Sequence, residues 1–298
     1  MQTPSNKPEA EAALITDLQP GAFSPFRYPV FRAIWIANLF SNLGATTQSV
    51  AAAWLMTELT TSHQLVALVQ ASATLPIMLF GVFAGAIADN FDRRRVMLAA
   101  QVGMLLVSSV LAALVYADMI SPALLLIFTL TIGVGTALNS PAWQASVRQQ
   151  VDPRQLPQAI ALNSISFNIA RSIGPALGGM LMTVWNVAFA FLVNAVSYIG
   201  LIGVLLWWKP EARKIERRPI LPAVGVGIRY CAGSPPLRHI LAHGLSLGFS
   251  LAAFPALLPT IVSEQLHGKE LDFGLMLGCV SVMLHGPDAW CYSTTTPL

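Results

Sequence analysis

Apolar positions gather into long blocks separated by short polar punctuation. Runs of about twenty or more mostly apolar residues fall at 33–57, 64–88, 96–116, 122–147, 158–182, 186–208 and 237–262, and an eighth begins near 272. Each is long enough to cross the roughly 30 Å hydrocarbon core of a bilayer as a helix. The first, fourth and fifth blocks also carry scattered Asn, Gln, Ser and Thr. Polar side chains of that kind belong inside a helix bundle, away from lipid. The pattern predicts an all-α polytopic membrane protein: a six-helix bundle, a linker, a seventh span and a partial eighth.

Composition agrees with that reading. Hydrophobic residues make up 55% of the 298 positions and charged residues only 10%, far below the roughly 25% usual in soluble domains. The mean hydropathy is +0.62. A net charge of +3 gives no reason to expect nucleic acid as a partner. Cys231, Cys279 and Cys291 have no metal-ligand spacing and form no even-numbered disulfide framework. No metal or cofactor is expected.

The basic residues set the orientation. Lys7, Arg27 and Arg32 precede the first span, Arg93 to Arg95 follow the second, Arg148 and Arg154 follow the fourth, and seven more lie between Lys209 and Arg238. All these loops share one side, the opposite loops hold only Lys269, and Arg171 alone falls within a span. By the positive-inside rule the N-terminus and the 209–236 linker are cytoplasmic. Residues 1–30 read as a cytoplasmic tail without signal-peptide features, 31–208 as a six-span half and 237–298 as the start of a second half. After "GLMLGC" the text turns polar and aperiodic, so from about residue 280 the tail is atypical and the second half is expected to be cut short by a truncation or a frameshift near Cys279.

Two motifs carry the candidate chemistry. The loop "GAIADNFDRRR" places Gly85, Asp89, Arg93 and Arg94 between the second and third spans. A short loop between helices calls for a small residue, and an acid at a helix C-terminus is disfavoured by the dipole. Asp89 therefore needs a partner, either the adjacent arginines or another helix N-terminus. In the fifth span, "ARSIGPALGG" sets Ala170, Gly174 and Gly178 along one face, a small-residue stripe for close packing. Pro175 interrupts the backbone ladder, and Gly179 follows. Beside the stripe, Ser164, Asn168, Arg171 and Pro175 share a second face. Arg171 lies roughly 20 Å along its helix, too deep for easy snorkelling, and an intramembrane charge is a functional-site candidate by default. Asn38, Asn42 and Gln48 of the first span, with Asn139, Trp143 and Gln144 of the fourth, are the other candidates for a substrate cavity. Each is equally able to serve as interhelical glue.

These motifs resemble those of the major facilitator superfamily. Gly85, Ala88, Asp89, Arg93 and Arg94 match its signature loop, while Asn90 and Asp92 depart from it. Gly174, Pro175, Gly178 and Gly179 match the fifth-helix motif of its exporters, with Ala170 in place of the first Gly. "NSPAWQASV", "LPQAIALNSISFNIARSIGPALGG" and "FAFLVNAVSYIG" resemble the transmembrane secretion effector branch, to which enterobactin exporters belong. The resemblance implies export of a small organic molecule, siderophore- or drug-like, from a bacterial cytoplasm across the inner membrane. It implies twelve spans, alternating access and the proton gradient as energy source, with a gating role for the signature loop. It points to no obligate protein partner beyond the lipid bilayer. No Asp or Glu lies deep in a span, so a coupling carboxylate falls either to Glu58 at the outer end of the first span or to the absent half. A truncated, non-transporting membrane protein or subunit is the alternative. Among the five histidines, His239 and His243 are four apart but lack a third ligand, and an enzyme is not expected.

Overall fold

The computed structural model describes residues 21–210, 225, 229–230 and 233–285. The first twenty residues, most of the expected basic linker and the atypical tail beyond 285 lie outside the described residues. Eight long helices follow in order: α1 Pro29–Leu59, α2 His63–Asn90, α3 Arg93–Tyr116, α4 Pro122–Ser146, α5 Leu156–Val184, α6 Val187–Trp207, α7 Pro235–Thr260 and α8 Glu270–His285. Among the described residues a helix occupies each of the seven expected full spans and the start of the partial eighth. The seventh continues through a π-helical turn, Ile261–Gln265, and the eighth stays helical past Cys279 to His285.

The helix ends are written in local chemistry. Pro opens α1, α4 and α7, where its missing N–H costs nothing. Asp92, Ser121 and Asn186 cap α3, α4 and α6 with side-chain oxygens that accept from backbone N–H groups within the first turn. The expected N-terminal tail gives way earlier than residue 30. Ser24–Arg27 form a 3-10 turn, and Phe26 packs edge-on against Trp35 at 5.1 Å.

Among the described residues, α2, α3, α4, α6 and α7 are long and apolar enough to cross a membrane. At 31 and 29 residues, α1 and α5 have the length but are more polar. That difference follows from packing: α1 lies against α5, α6 and α2, and α5 lies between α1 and α8. Protein covers the faces of α1 and α5 that meet these neighbours, and polar residues are tolerated there.

The two ends of the bundle differ. At the end where α1 finishes, one continuous core joins Val50 to Met56 of α1 with residues of α2 to α6, and with Leu258 of α7, Val262 of the π turn and Phe273 of α8. At the basic end, Ile34, Met97, Leu201 and Leu205 form one core and Phe31, Val147 and Ala159 another, with no residue of α7 or α8 among the described members. From Pro235 to Gly248, α7 is almost entirely exposed. The first six helices and the last two are thus sealed together at one end and parted at the other.

Candidate functional site

The fifth helix organises both the seal and the polar surface below it. Ala170, Gly174 and Gly178 are buried against α1, as the small-residue stripe predicts. A side chain at Gly178 would meet the backbone of Thr47 at 3.2 Å. The Thr46 hydroxyl donates to the Ala170 carbonyl at 3.2 Å across the same contact. Gly179 points elsewhere: a Cβ there would stand 2.5 Å from the Glu270 carbonyl oxygen of α8. From the α8 side, Gly274 is pressed on Pro175 and Gly179, and a Cβ at Gly278 would lie 2.8 Å from the Ser172 carbonyl oxygen. The motif therefore divides its small residues between two neighbours, and the α5–α8 approach is backbone against backbone.

Two further contacts close this end. Trp54 stacks on Phe273 with ring centroids 5.9 Å apart, and its indole N–H donates to Glu58 Oε1 at 2.8 Å. His63 Nε2 lies 3.0 Å from Glu264, tying the start of α2 to the π turn after α7. That pair is about half exposed on both sides and is worth at most ~1 kcal/mol.

Arg171 sits at the centre of the 29-residue α5, eight residues and about 12 Å below Gly179. It is half-buried. Its guanidinium lies over the Phe167 ring at 5.5 Å, and among the described residues no carboxylate or carbonyl is bonded to it. Pro175 has no N–H for the Arg171 carbonyl, yet the side chain does not cap freed carbonyls. Around the helix, Arg171, Phe167, Asn168 and Ser164 occupy the arc between the α1-facing stripe and the α8-facing residues. The opposite arc is Ile165, Ile169, Ile173 and Met180. The polar arc lies between the faces of α5 that meet α1 and α8, and Ile165, Ile173 and Met180 of the apolar arc are exposed.

The remaining sequence candidates separate. Gln48 lies inside the bundle. It is buried, and its Oε1 accepts from Ser108 Oγ of α3 and Asn194 Nδ2 of α6, each at 2.5 Å. The Asn194 amide also reaches Tyr198 at 3.1 Å. This network ties α1, α3 and α6 and gives Gln48 the interhelical-glue setting that stood beside its candidacy for the substrate cavity. Asn194 and Tyr198, four apart in an apolar span, were the available signal for it. Asn38 is buried and Asn42 half-buried. Asn139, Trp143 and Gln144 belong to α4, which packs on α2 and α3 and not along α5. Trp143 packs against the α1–α3–α6 core, Gln144 is exposed, and the Asn139 side-chain oxygen is buried without a hydrogen-bond partner.

In the signature loop the arginines anchor helix ends. Arg93 donates to the Ala145 carbonyl at 2.7 Å, and Arg94 donates to the carbonyls of Leu205 and Leu206 at 2.6 and 2.8 Å. Cations at helix C-termini complement the dipole. They are consequently turned away from Asp89, which is exposed; the expected pairing of Asp89 with these arginines is not formed. A Cβ on Gly85 would meet nothing within 4 Å, so no close approach among the described residues requires that glycine.

A six-helix bundle sealed at one end to the first helices of a second unit, with a lone charge in the gap, defines a polytopic helical transporter fold. The chain matches the transmembrane secretion effector family over residues 20–285. It belongs to that family, a branch of the major facilitator superfamily. It is 31% identical over 227 residues to the staphyloferrin A transporter of Staphylococcus aureus, covering 74% of this chain and 56% of that protein. To the enterobactin exporter EntS of Shigella boydii it is 27% identical over 257 residues, 83% of this chain and 59% of that one. A solved bacterial homologue of the human lysosomal transporter Spinster, inward-facing and unoccupied, shares the fold, with a TM-score of 0.63 at 15% identity over 92% of this chain and 64% of that one. The chain spans about half the length of the curated relatives it matches.

Proposed function

We propose that this chain forms the first half, and the opening of the second, of an efflux transporter that moves a small siderophore- or drug-like molecule out of a bacterial cytoplasm. The observation that carries the reading is Arg171, a cation without an ionic partner among the described residues, midway along α5 and below a sealed end. A substrate with carboxylate, catecholate or carbonyl oxygens supplies what that guanidinium lacks. The siderophore and drug transporters among the relatives support that substrate class. In this reading the basic end is cytoplasmic and open, and the structure is the inward-facing arrangement of an alternating-access cycle. A proton gradient drives the cycle. Glu58, bonded to the Trp54 that stacks on α8, is the carboxylate placed to report protonation to the outer seal.

Alternating access needs two halves moving about one site. The test therefore compares export in everted vesicles by this chain, by a version completed to two six-helix halves, and by that version carrying Arg171→Ala or Arg171→Lys. A hydrogen bond to a charged group is worth about 1.5–3 kcal/mol, so Arg171→Ala should lower transport of an anionic substrate by roughly tenfold or more, while Arg171→Lys keeps part of it. Normal export of every substrate by Arg171→Ala refutes the site.

A further inference from the structure

A cleft of about 710 Å³ opens at the basic end of the bundle, far from the polar arc of α5. Tyr28 ahead of α1, Arg148 and Gln149 in the turn after α4, and Trp207 and Lys209 at the end of α6 form its walls. Beneath them lie the buried Val151 and Trp208. The four wall residues from α4 onward are exposed, and among the described residues neither Arg148 nor Lys209 has an ion-pair partner.

Depth and chemistry together select the ligand. Trp207 is the last residue of a membrane-length apolar helix and is 57% exposed. Aromatic rings at such positions sit at the level of lipid headgroups. Below it Leu206 is also exposed, facing the acyl chains; above it stands Lys209. A molecule filling this cleft needs an anionic head for two cations that lack an ion-pair partner among the described residues, and an apolar portion for the Trp207 side. A soluble phosphate ester satisfies only the first requirement. The geometry points to a binding site for an anionic phospholipid, its phosphate held between Arg148 and Lys209. Basic pockets between helices on the cytoplasmic side are suited to such headgroups. The lipid would brace the loop after α4 against the end of α6, where the expected linker between the halves begins. The assignment of leaflet rests on the proposed orientation; the binding itself does not.

The test needs no transport. The full chain is placed in nanodiscs of equal phosphatidylglycerol and phosphatidylcholine, released, and its retained lipids counted by native mass spectrometry. Wild type should retain phosphatidylglycerol preferentially, and 10 mM glycerol 3-phosphate should not displace it. Arg148→Gln with Lys209→Gln should lower retention about tenfold or more, as expected for losing two basic residues near an anionic lipid. Arg148→Lys with Lys209→Arg should keep it. Arg95→Gln with Arg154→Gln removes the same charge from exposed positions at the same end and should leave it unchanged. Equal retention of both lipids by wild type, an equal loss in the Arg95/Arg154 control, or displacement by glycerol 3-phosphate overturns the site. The wild-type lipid comparison decides the matter even where the double Gln variant fails to fold.

Discussion

Replacing Gly179 with alanine adds one methyl group at the point where α5 and α8 meet backbone to backbone. That carbon would stand 2.5 Å from the Glu270 carbonyl oxygen and 3.0 Å from Leu271 Cα. Non-bonded heavy atoms prefer about 3.5–4.0 Å, so the start of α8 must retreat by roughly 1 Å. No rotamer change relieves the clash, because the atoms met are main chain. Overpacking of this kind costs about 1–3 kcal/mol. Against it, alanine gains up to about 1 kcal/mol in helix propensity over glycine. The net effect is up to ~2 kcal/mol against the seated α8, or roughly thirtyfold in the ratio of seated to unseated forms at 1.4 kcal/mol per tenfold. Gly203→Ala is the control, since a Cβ there meets nothing within 4 Å and only the propensity gain remains. Spin labels at Met180 and Leu275, both exposed, in a background with the native cysteines replaced, report the α5–α8 separation by pulsed electron resonance. Gly179→Ala should broaden and lengthen that distance and lower the melting temperature in detergent; Gly203→Ala should do neither. Unchanged distances and melting in Gly179→Ala would refute the assignment of this glycine to the seal.

Removing Gln48 leaves the Ser108 hydroxyl and the Asn194 amide short of a buried acceptor. Gln48→Leu should destabilise the bundle by about 1–3 kcal/mol in thermal unfolding without changing which substrates a completed transporter exports; a shift in selectivity at unchanged stability would put Gln48 back in the pathway. Arg94→Ala deletes two hydrogen bonds to the last carbonyls of α6. It should cost about 1–2 kcal/mol, while Arg95→Ala, whose side chain is exposed, stays within about 0.5 kcal/mol. Equal melting of the two variants would remove the anchoring role.

The spans were legible because the bilayer imposes one length on every crossing segment, and an apolar run either has that length or does not. Their ends were less so. The first helix begins at Pro29, four residues before its apolar block, because Phe26 and Trp35 pack together outside the hydrophobic run. What the sequence could not show is the direction in which each polar side chain points. In a soluble helix, polar means outward; in a membrane bundle, polar means inward, and inward includes both glue and cavity. Gln48 and Asn168 therefore look alike until α3 and α6 are in place, when Gln48 is found against Ser108 and Asn194. The same holds for the glycines of α5, whose stripe announces close packing but not that Gly174 and Gly178 serve α1 while Gly179 serves α8. Arg93 and Arg94 read as topology anchors or gate residues with equal right, since the carbonyls they cap lie 52 and 111 residues further along the chain.

Magnitudes decide what Arg171 faces. Set against hydrocarbon at the centre of a spanning helix, an arginine costs at least ~2.5–3.5 kcal/mol. Among the described residues the one compensation is the Phe167 ring, worth about 0.5–1 kcal/mol where exposed and about 2 where desolvated. Neither value offsets the cost of lipid exposure, whereas water or an anionic ligand in the gap between α1 and α8 removes that cost altogether. The opposite arc of α5, by contrast, is the apolar Ile165, Ile169, Ile173 and Met180, and carries no charge whose burial in hydrocarbon would have to be offset. The helix is therefore asymmetric, with its charge and its exposed apolar side chains on different arcs. Its packing stripe and its charge are carried on one rigid segment, with Gly179 about 12 Å above Arg171. Any movement that unseats α8 at Gly179 alters the surroundings of Arg171, so the seal and the candidate site are coupled through α5 itself.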